Sequence, residues 1–201
     1  LAKQAKNSLW IGTADIKDLY VIQGQTEKPF LGILSELIGH GVEVRLIHAK
    51  EPGPNFRKDF DKYPSLARML ERVLCPRVHF KIIIIDQKIC YIGSANLTGA
   101  GMGMKSAYRR NFEAGILTDN SDIVNAAIEE FDKVWRGSEC KKCQRRNQKK
   151  TNCKIISYCL QIFITRVVGG DYHLLLDCLI QLTHFFPQRQ SHIYECALTE
   201  S

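Results

Sequence analysis

No run of eighteen or more uncharged apolar residues occurs in the 201-residue chain, so the sequence offers no membrane-spanning helix. A charged-then-apolar leader is missing too, and the first residue is Leu1 rather than Met. A fragment or trimmed product is therefore expected, with any targeting segment lying outside it. Internal repeats are absent, which excludes a solenoid. The length suits one domain with an appendage, and 45% hydrophobic with 24% charged residues is ordinary for a globular chain.

Acidic side chains are the scarcer sign, 21 against 28 Lys and Arg, for a net charge of +7. Residues 154–201 hold only three Lys/Arg and four Asp/Glu, so the first 153 residues carry a net +8. Six of those positive charges fall between Lys141 and Lys150. A basic excess of this size fits polyanionic partners, nucleic acid or anionic lipid, and does not bear on fold.

The eight cysteines are scattered through apolar runs rather than spaced as a disulfide framework, which predicts reduced thiols and a cytoplasmic protein. Cys140-x2-Cys143-x9-Cys153 has partial metal-ligand spacing, and Cys75 would be a fourth ligand for a structural zinc or iron–sulfur site. Against that site, the second pair is not a CxxC and Cys75 is remote in sequence.

Along the chain, Leu9 to Ala14 reads as a buried strand ending in small residues. Residues 29–39 show a helical apolar repeat, and Val42 to Ile47 alternates as a strand. Strand, helix and strand in about forty residues predict a βαβ unit with a parallel pair. Glu51 to Asn55 is a turn-rich break, residues 64–74 an amphipathic helix stopped by Pro76, and Asn111 to Thr118 a strand. Asp119 to Gly137 reads as a helix capped by Ser121, with Ile123, Ala127, Ile128, Phe131 and Trp135 on its apolar side. The fold class is α/β: a mixed, mostly parallel sheet flanked by helices. Residues 1–138 form that domain, 139–153 a basic Cys-containing segment, and 154–201 an apolar extension.

Residues 79–101, HFKIIIIDQKICYIGSANLTGAG, set an uninterrupted isoleucine strand among polar groups. If the hairpin closes with Ile85 opposite Ile89, Lys81 faces Gly93 and His79 faces Ala95. Period two puts His79 and Lys81 on one face, and Ser94 and Asn96 run out beside them. Gly93 would let a ligand or backbone approach, while Gly99, Gly101 and Gly103 make a pliable loop. An isolated histidine here would be a satisfied core residue, but its partners stand at fixed spacing.

His79-x-Lys81-x4-Asp86-x6-Gly93-Ser94-x-Asn96 resembles the HxKxxxxDxxxxxxGSxN signature of the phospholipase D superfamily. Six fixed positions arise by chance on the order of 10⁻⁸ times per starting point, so coincidence is a weak competitor. The resemblance covers residues 1 to about 150. It implies a phosphodiesterase needing no cofactor, in which a neutral His attacks phosphorus to form a phosphohistidine, a second His protonates the leaving alkoxide and water then releases the phosphate. His79 would be nucleophile or acid. Lys81 and Asn96 would bind phosphate oxygens, supported by Ser94 and Gly93. Asp86 would order the turn, and Glu113 would be the acidic partner that orients the histidine.

The chemistry needs two histidines, and only one motif is present. His48-Ala49-Lys50 imitates its start, but Asn55 and Lys62 stand where Asp and Gly are required. His48 is thus a strand-end residue, and a two-fold homodimer is expected to supply the second His79. Nucleic acid is the favoured substrate on size, single motif and charge. The alternatives are a phospholipid, hydrolysed or transferred, and a non-catalytic nucleic-acid-binding role.

Overall fold

The computed structural model describes residues 1–23 and 26–144, all within one unit of the chain, Leu1–Tyr158. Cys153 and the apolar extension of residues 154–201 lie outside the described residues. No described helix is long and apolar enough to cross a membrane.

β1 (Ser8–Thr13) is buried at all six positions, as an apolar run in a central strand must be. A hairpin follows, β2 (Tyr20–Gln23) against β3 (Thr26–Pro29), with no apolar alternation in sequence to announce it. α1 (Phe30–Gly39) then crosses over, and β4 (Glu43–His48) returns parallel to β1, with Thr13 beside His48. The predicted strand–helix–strand unit is present.

Two expectations need correction over residues 51–74. α2 (Pro54–Phe60) begins inside the supposed break, with Pro54 at its start, where a missing N–H costs nothing. The single helix expected over residues 64–74 divides into α3 (Pro64–Met69) and β5 (Glu71–Leu74). β5 pairs in parallel with β4, which buries Val73 and sets Glu71 against Arg45. The Arg45 Nε then lies 2.9 Å from Glu43 and 3.0 Å from Glu71. A continued helix would forgo both the ladder and the second ion pair.

β6 (Ile82–Ile85) and β7 (Ile89–Gly93) pair in the predicted register, Ile85 with Ile89 and Ile82 with Ile92. Asp86 and Gln87 close the turn with φ of 51° and 55°. β8 (Gly115–Thr118) is shorter than the strand expected from Asn111, because residues 111–114 are irregular. α4 (Ser121–Trp135) is capped by Asn120 rather than Ser121: Asn120 Oδ1 accepts from the N–H groups of Asp122 (3.1 Å) and Ile123 (3.2 Å). Such a cap is worth about 1 kcal/mol.

The sheet order is β5-β4-β1-β6-β7-β8. β5, β4, β1 and β7 run one way while β6 and β8 oppose them, so the sheet is mixed with most strands in one direction. Alternation splits its side chains between two cores. Leu9, Ile11, Val44, Leu46 and Ile85 meet α1 and α3 on one face. Trp10, Ile47, Val73, Ile82 and Ile84 meet α4 on the other. There Phe131 stacks between Trp10 and Trp135, at 5.3 and 5.8 Å.

Candidate active site

β6 runs antiparallel to β1, so its beginning lies with the carboxyl ends of β1, β4 and β5. In open α/β sheets that end is where ligands bind. Phe80 fixes which way the leading residues point. Its ring occupies the space a Cβ at Gly12 would need, on the α4 face of the sheet. Alternation then turns His79 and Lys81 together to the opposite face.

Lys81 is only 8% exposed, and its ammonium donates to the His79 carbonyl at 2.8 Å and lies 3.4 Å from His79 Nδ1. Among the described residues no carboxylate comes within 4.0 Å of it. A buried ammonium without a counter-ion is costly, and an anionic ligand would relieve it. The His79 ring beside it is exposed.

The Gly93 N–H donates to the Lys81 carbonyl at 3.1 Å, which carries β7 past β6 and delivers Ser94. Ser94 Oγ donates to Glu113 Oε2 and accepts the Ala114 N–H at 3.0 Å. Asn111 Nδ2 donates to Glu113 Oε1 at 3.0 Å. These bonds from Ser94 and Asn111, with a weaker contribution from the Lys81 charge, hold the Glu113 carboxyl below its usual range. Within the chain, Glu113 is tied to Ser94 and Asn111. The irregular path of residues 111–114 aims the carboxylate at the end of β7.

Asn96 is oriented from β1. Its Oδ1 accepts the Asp15 N–H at 3.1 Å and lies 3.3 Å from Thr13 Oγ1, which turns Nδ2 the other way with two hydrogens to donate. Thr13 is 1% exposed; its hydroxyl donates to the Asp15 carbonyl at 2.8 Å and accepts the Leu97 N–H at 3.2 Å. The register carried one residue past Gly12–Ile82 sets Thr13 beside Lys81. Nothing in sequence flagged Thr13 as a functional residue beyond its place among the small residues closing β1.

The remaining motif positions do other work. Asp86 stands at the far end of the hairpin from His79. Its Oδ1 accepts the N–H groups of Asn7 (2.7 Å) and Ser8 (2.9 Å), and Oδ2 that of Lys6 (3.0 Å). Burial pushes its carboxyl up, but the three amides outweigh it and the net shift is downward. Gly93 was expected to let a ligand or backbone approach, and it is the backbone of Ala114 that does. The side where its Cβ would stand is filled by the Tyr91 ring, which also lies across Gly115. A Cβ at Gly93 would also stand 2.8 Å from the Ala114 carbonyl. Gly101 lets the following loop press on the Asn96 backbone, where a Cβ would come within 2.6 Å of the carbonyl.

His48 is the last residue of β4, fully buried, with Nδ1 2.7 Å from the Lys50 carbonyl. Burial first, and the Arg72 charge second, depress its basicity. Among the described residues, no group of three or more His, Cys, Asp or Glu side chains is arranged to hold a metal. Three of the four cysteines suggested as ligands, Cys75, Cys140 and Cys143, are described, and Cys153 is not.

The family model described as the cardiolipin synthase, PLD-like domain matches residues 1–135. Among curated proteins none matches. Similar solved structures include NucT from Helicobacter pylori, 19% identical with a TM-score of 0.49, covering 67% of this chain and 82% of that one. The phospholipase D family member Nuc from Salmonella typhimurium is 15% identical with a TM-score of 0.49 and the same coverages. TrmBL2, an archaeal chromatin protein, is 14% identical with a TM-score of 0.45, covering 67% and 46%. With its family model matched over two thirds of its length, and His79, Lys81, Ser94 and Asn96 of the motif gathered at one sheet end, the chain belongs to the phospholipase D superfamily, within its PLD-like domain family.

Proposed function

We propose that the chain is a phosphodiesterase working through a covalent histidine intermediate, with nucleic acid as substrate. The observation that carries this is the buried, carboxylate-free Lys81 ammonium beside an exposed His79, with Asn96 held through its Oδ1 so that its Nδ2 is left to donate. A phosphodiester would take Lys81 and Asn96 Nδ2 as donors to its oxygens. In the neutral tautomer that carries its proton on Nδ1, His79 attacks phosphorus through Nε2 while Lys81 turns to the phosphate oxygens. The P–O bond to the leaving alkoxide breaks, and His79 of the partner subunit gives that alkoxide its proton. The partner's His79, now neutral, takes a proton from water, whose oxygen attacks phosphorus as the P–N bond breaks. Glu113 holds Ser94 at the rim of the site.

The net +8 of the first 153 residues favours nucleic acid. A phospholipid diester is the second reading, favoured by the exposed Ile116 and Leu117 of β8. Purified protein assayed with a chelator against single-stranded DNA, RNA and phosphatidylcholine vesicles, with its mass read by light scattering, tests both points. Cleavage of nucleic acid by a dimer is expected. Activity on lipid alone would overturn the substrate, and an active monomer would overturn the shared site.

Thr13 acts here as a positioning residue. Thr13→Val leaves the Leu97 N–H without its acceptor and loosens Asn96, at about 1–3 kcal/mol of stability. Turnover should fall roughly tenfold with little change in KM, and Thr13→Ser should restore it. Equal turnover in the Val and Ser variants would remove Thr13 from the site.

A further inference from the structure

Between Asp86 and Glu113 the chain contains no Asp or Glu, and the loop leaving Asn96 carries Lys105, Arg109 and Arg110 together with Tyr108 and Phe112. The two rings are fully exposed, at 99% and 107% relative accessibility, and all three cations are exposed. None of the three makes a salt bridge with a carboxylate among the described residues. The loop is nonetheless built rather than loose. Met104 and Lys105 donate their N–H groups to the Gly99 carbonyl, Arg109 and Arg110 theirs to Ser106, and Asn111 its own to Ala100. It is also tied to the site, since Asn111 bonds the Glu113 carboxylate that holds Ser94.

Two bare aromatic rings are unusual on a surface unless something lies against them. Here they bracket two guanidinium groups within five residues, Tyr108-Arg109-Arg110-Asn111-Phe112. Inserting the rings into an acyl layer would drag both guanidinium groups with them, at a desolvation cost. Unpaired bases carry a flat π-face and an anionic phosphate at each step, which matches rings alternating with cations. In a duplex the base faces are already stacked on each other and unavailable to the rings.

We infer that the loop 105–112 is a binding platform for single-stranded nucleic acid, with Tyr108 and Phe112 stacking on unpaired bases while Lys105, Arg109 and Arg110 neutralise the adjoining phosphates. This rests on the nucleic-acid reading of the site and specifies its substrate as unpaired strands. Phe112 sits between Asn111 and Glu113, so a base stacked on it hands its backbone to the Ser94 and Lys81 side of the site.

The test measures binding of a fluorescent oligothymidylate by anisotropy, using the full chain, Tyr108→Ala/Phe112→Ala, and Lys105→Gln/Arg109→Gln/Arg110→Gln. Thermal melts verify that each variant is folded. The ring variant should bind about tenfold or more weakly. The charge variant should lower the slope of log affinity against log salt by about 2. Ring-variant affinity within twofold of wild type would overturn the platform. So would duplex DNA bound as tightly as the single strand, or phosphatidylglycerol–phosphatidylcholine vesicles bound more tightly than either. A ring variant that becomes monomeric by light scattering would also overturn it, by placing the rings in a subunit interface. Hydrolysis of the small diester bis(p-nitrophenyl) phosphate by the wild-type chain reports separately on the parent reading, because that substrate has no strand to stack.

Discussion

His79→Asn is expected to cut phosphodiester hydrolysis by on the order of 10³-fold or more while leaving the melting temperature nearly unchanged. The asparagine keeps polarity but offers phosphorus no nucleophile and the leaving alkoxide no acid. In a symmetric dimer one substitution removes both functions. The fold has little stake in the imidazole, since its ring is exposed and the main link from Lys81 goes to the backbone carbonyl, which the variant keeps. Steady-state turnover of a small diester and a thermal melt decide the matter together. Turnover within a few fold of wild type would return His79 to a purely structural role.

Asp86→Ala should show the opposite pattern. Three backbone N–H groups, those of Lys6, Asn7 and Ser8, lose a charged acceptor, at a cost of about 3 kcal/mol, or roughly 6–12 °C in melting temperature. Because the folded-state pKa is depressed, this stabilisation is present above the unfolded carboxyl value and lost as pH falls through the folded one. The melting difference between wild type and variant should therefore be full at neutral pH and shrink in acid. Turnover assayed well below the melting transition should fall far less than in His79→Asn. A melt within 1 °C of wild type at neutral pH would remove Asp86 from the structural role.

What could be read in advance depended on how local the cause was. The register of the β6–β7 hairpin followed from two isoleucine-rich runs and a short turn, and with it the shared face of His79 and Lys81. The parallel pairing of β1 and β4 followed from a helical repeat of about three turns between them. β5 was hidden because Glu71-Arg72-Val73-Leu74 continues a helical pattern, and only the ladder on β4 makes it a strand. Thr13 could not be seen as a clamp on Asn96, 83 residues away, until the sheet placed one beside the other. The bond from Ser94 to Glu113 likewise depends on the irregular path of residues 111–114, which no periodicity describes.

β1 is fastened to the motif at both ends, through the Asp86 carboxylate before it and the Thr13 hydroxyl where it finishes. At the other side of the sheet, β8 has no further strand beside it among the described residues, and its apolar side chains are open. Stiffness is therefore expected to be graded across the sheet, since thinly packed edges open at lower free energy than a doubly buried strand. His79 and Lys81 lead into the strand welded to β1, while Ser94 and Glu113 ride towards the yielding margin. On the proposed mechanism, diesters of different bulk would be admitted by give on one flank only, with the His79 nitrogen held still.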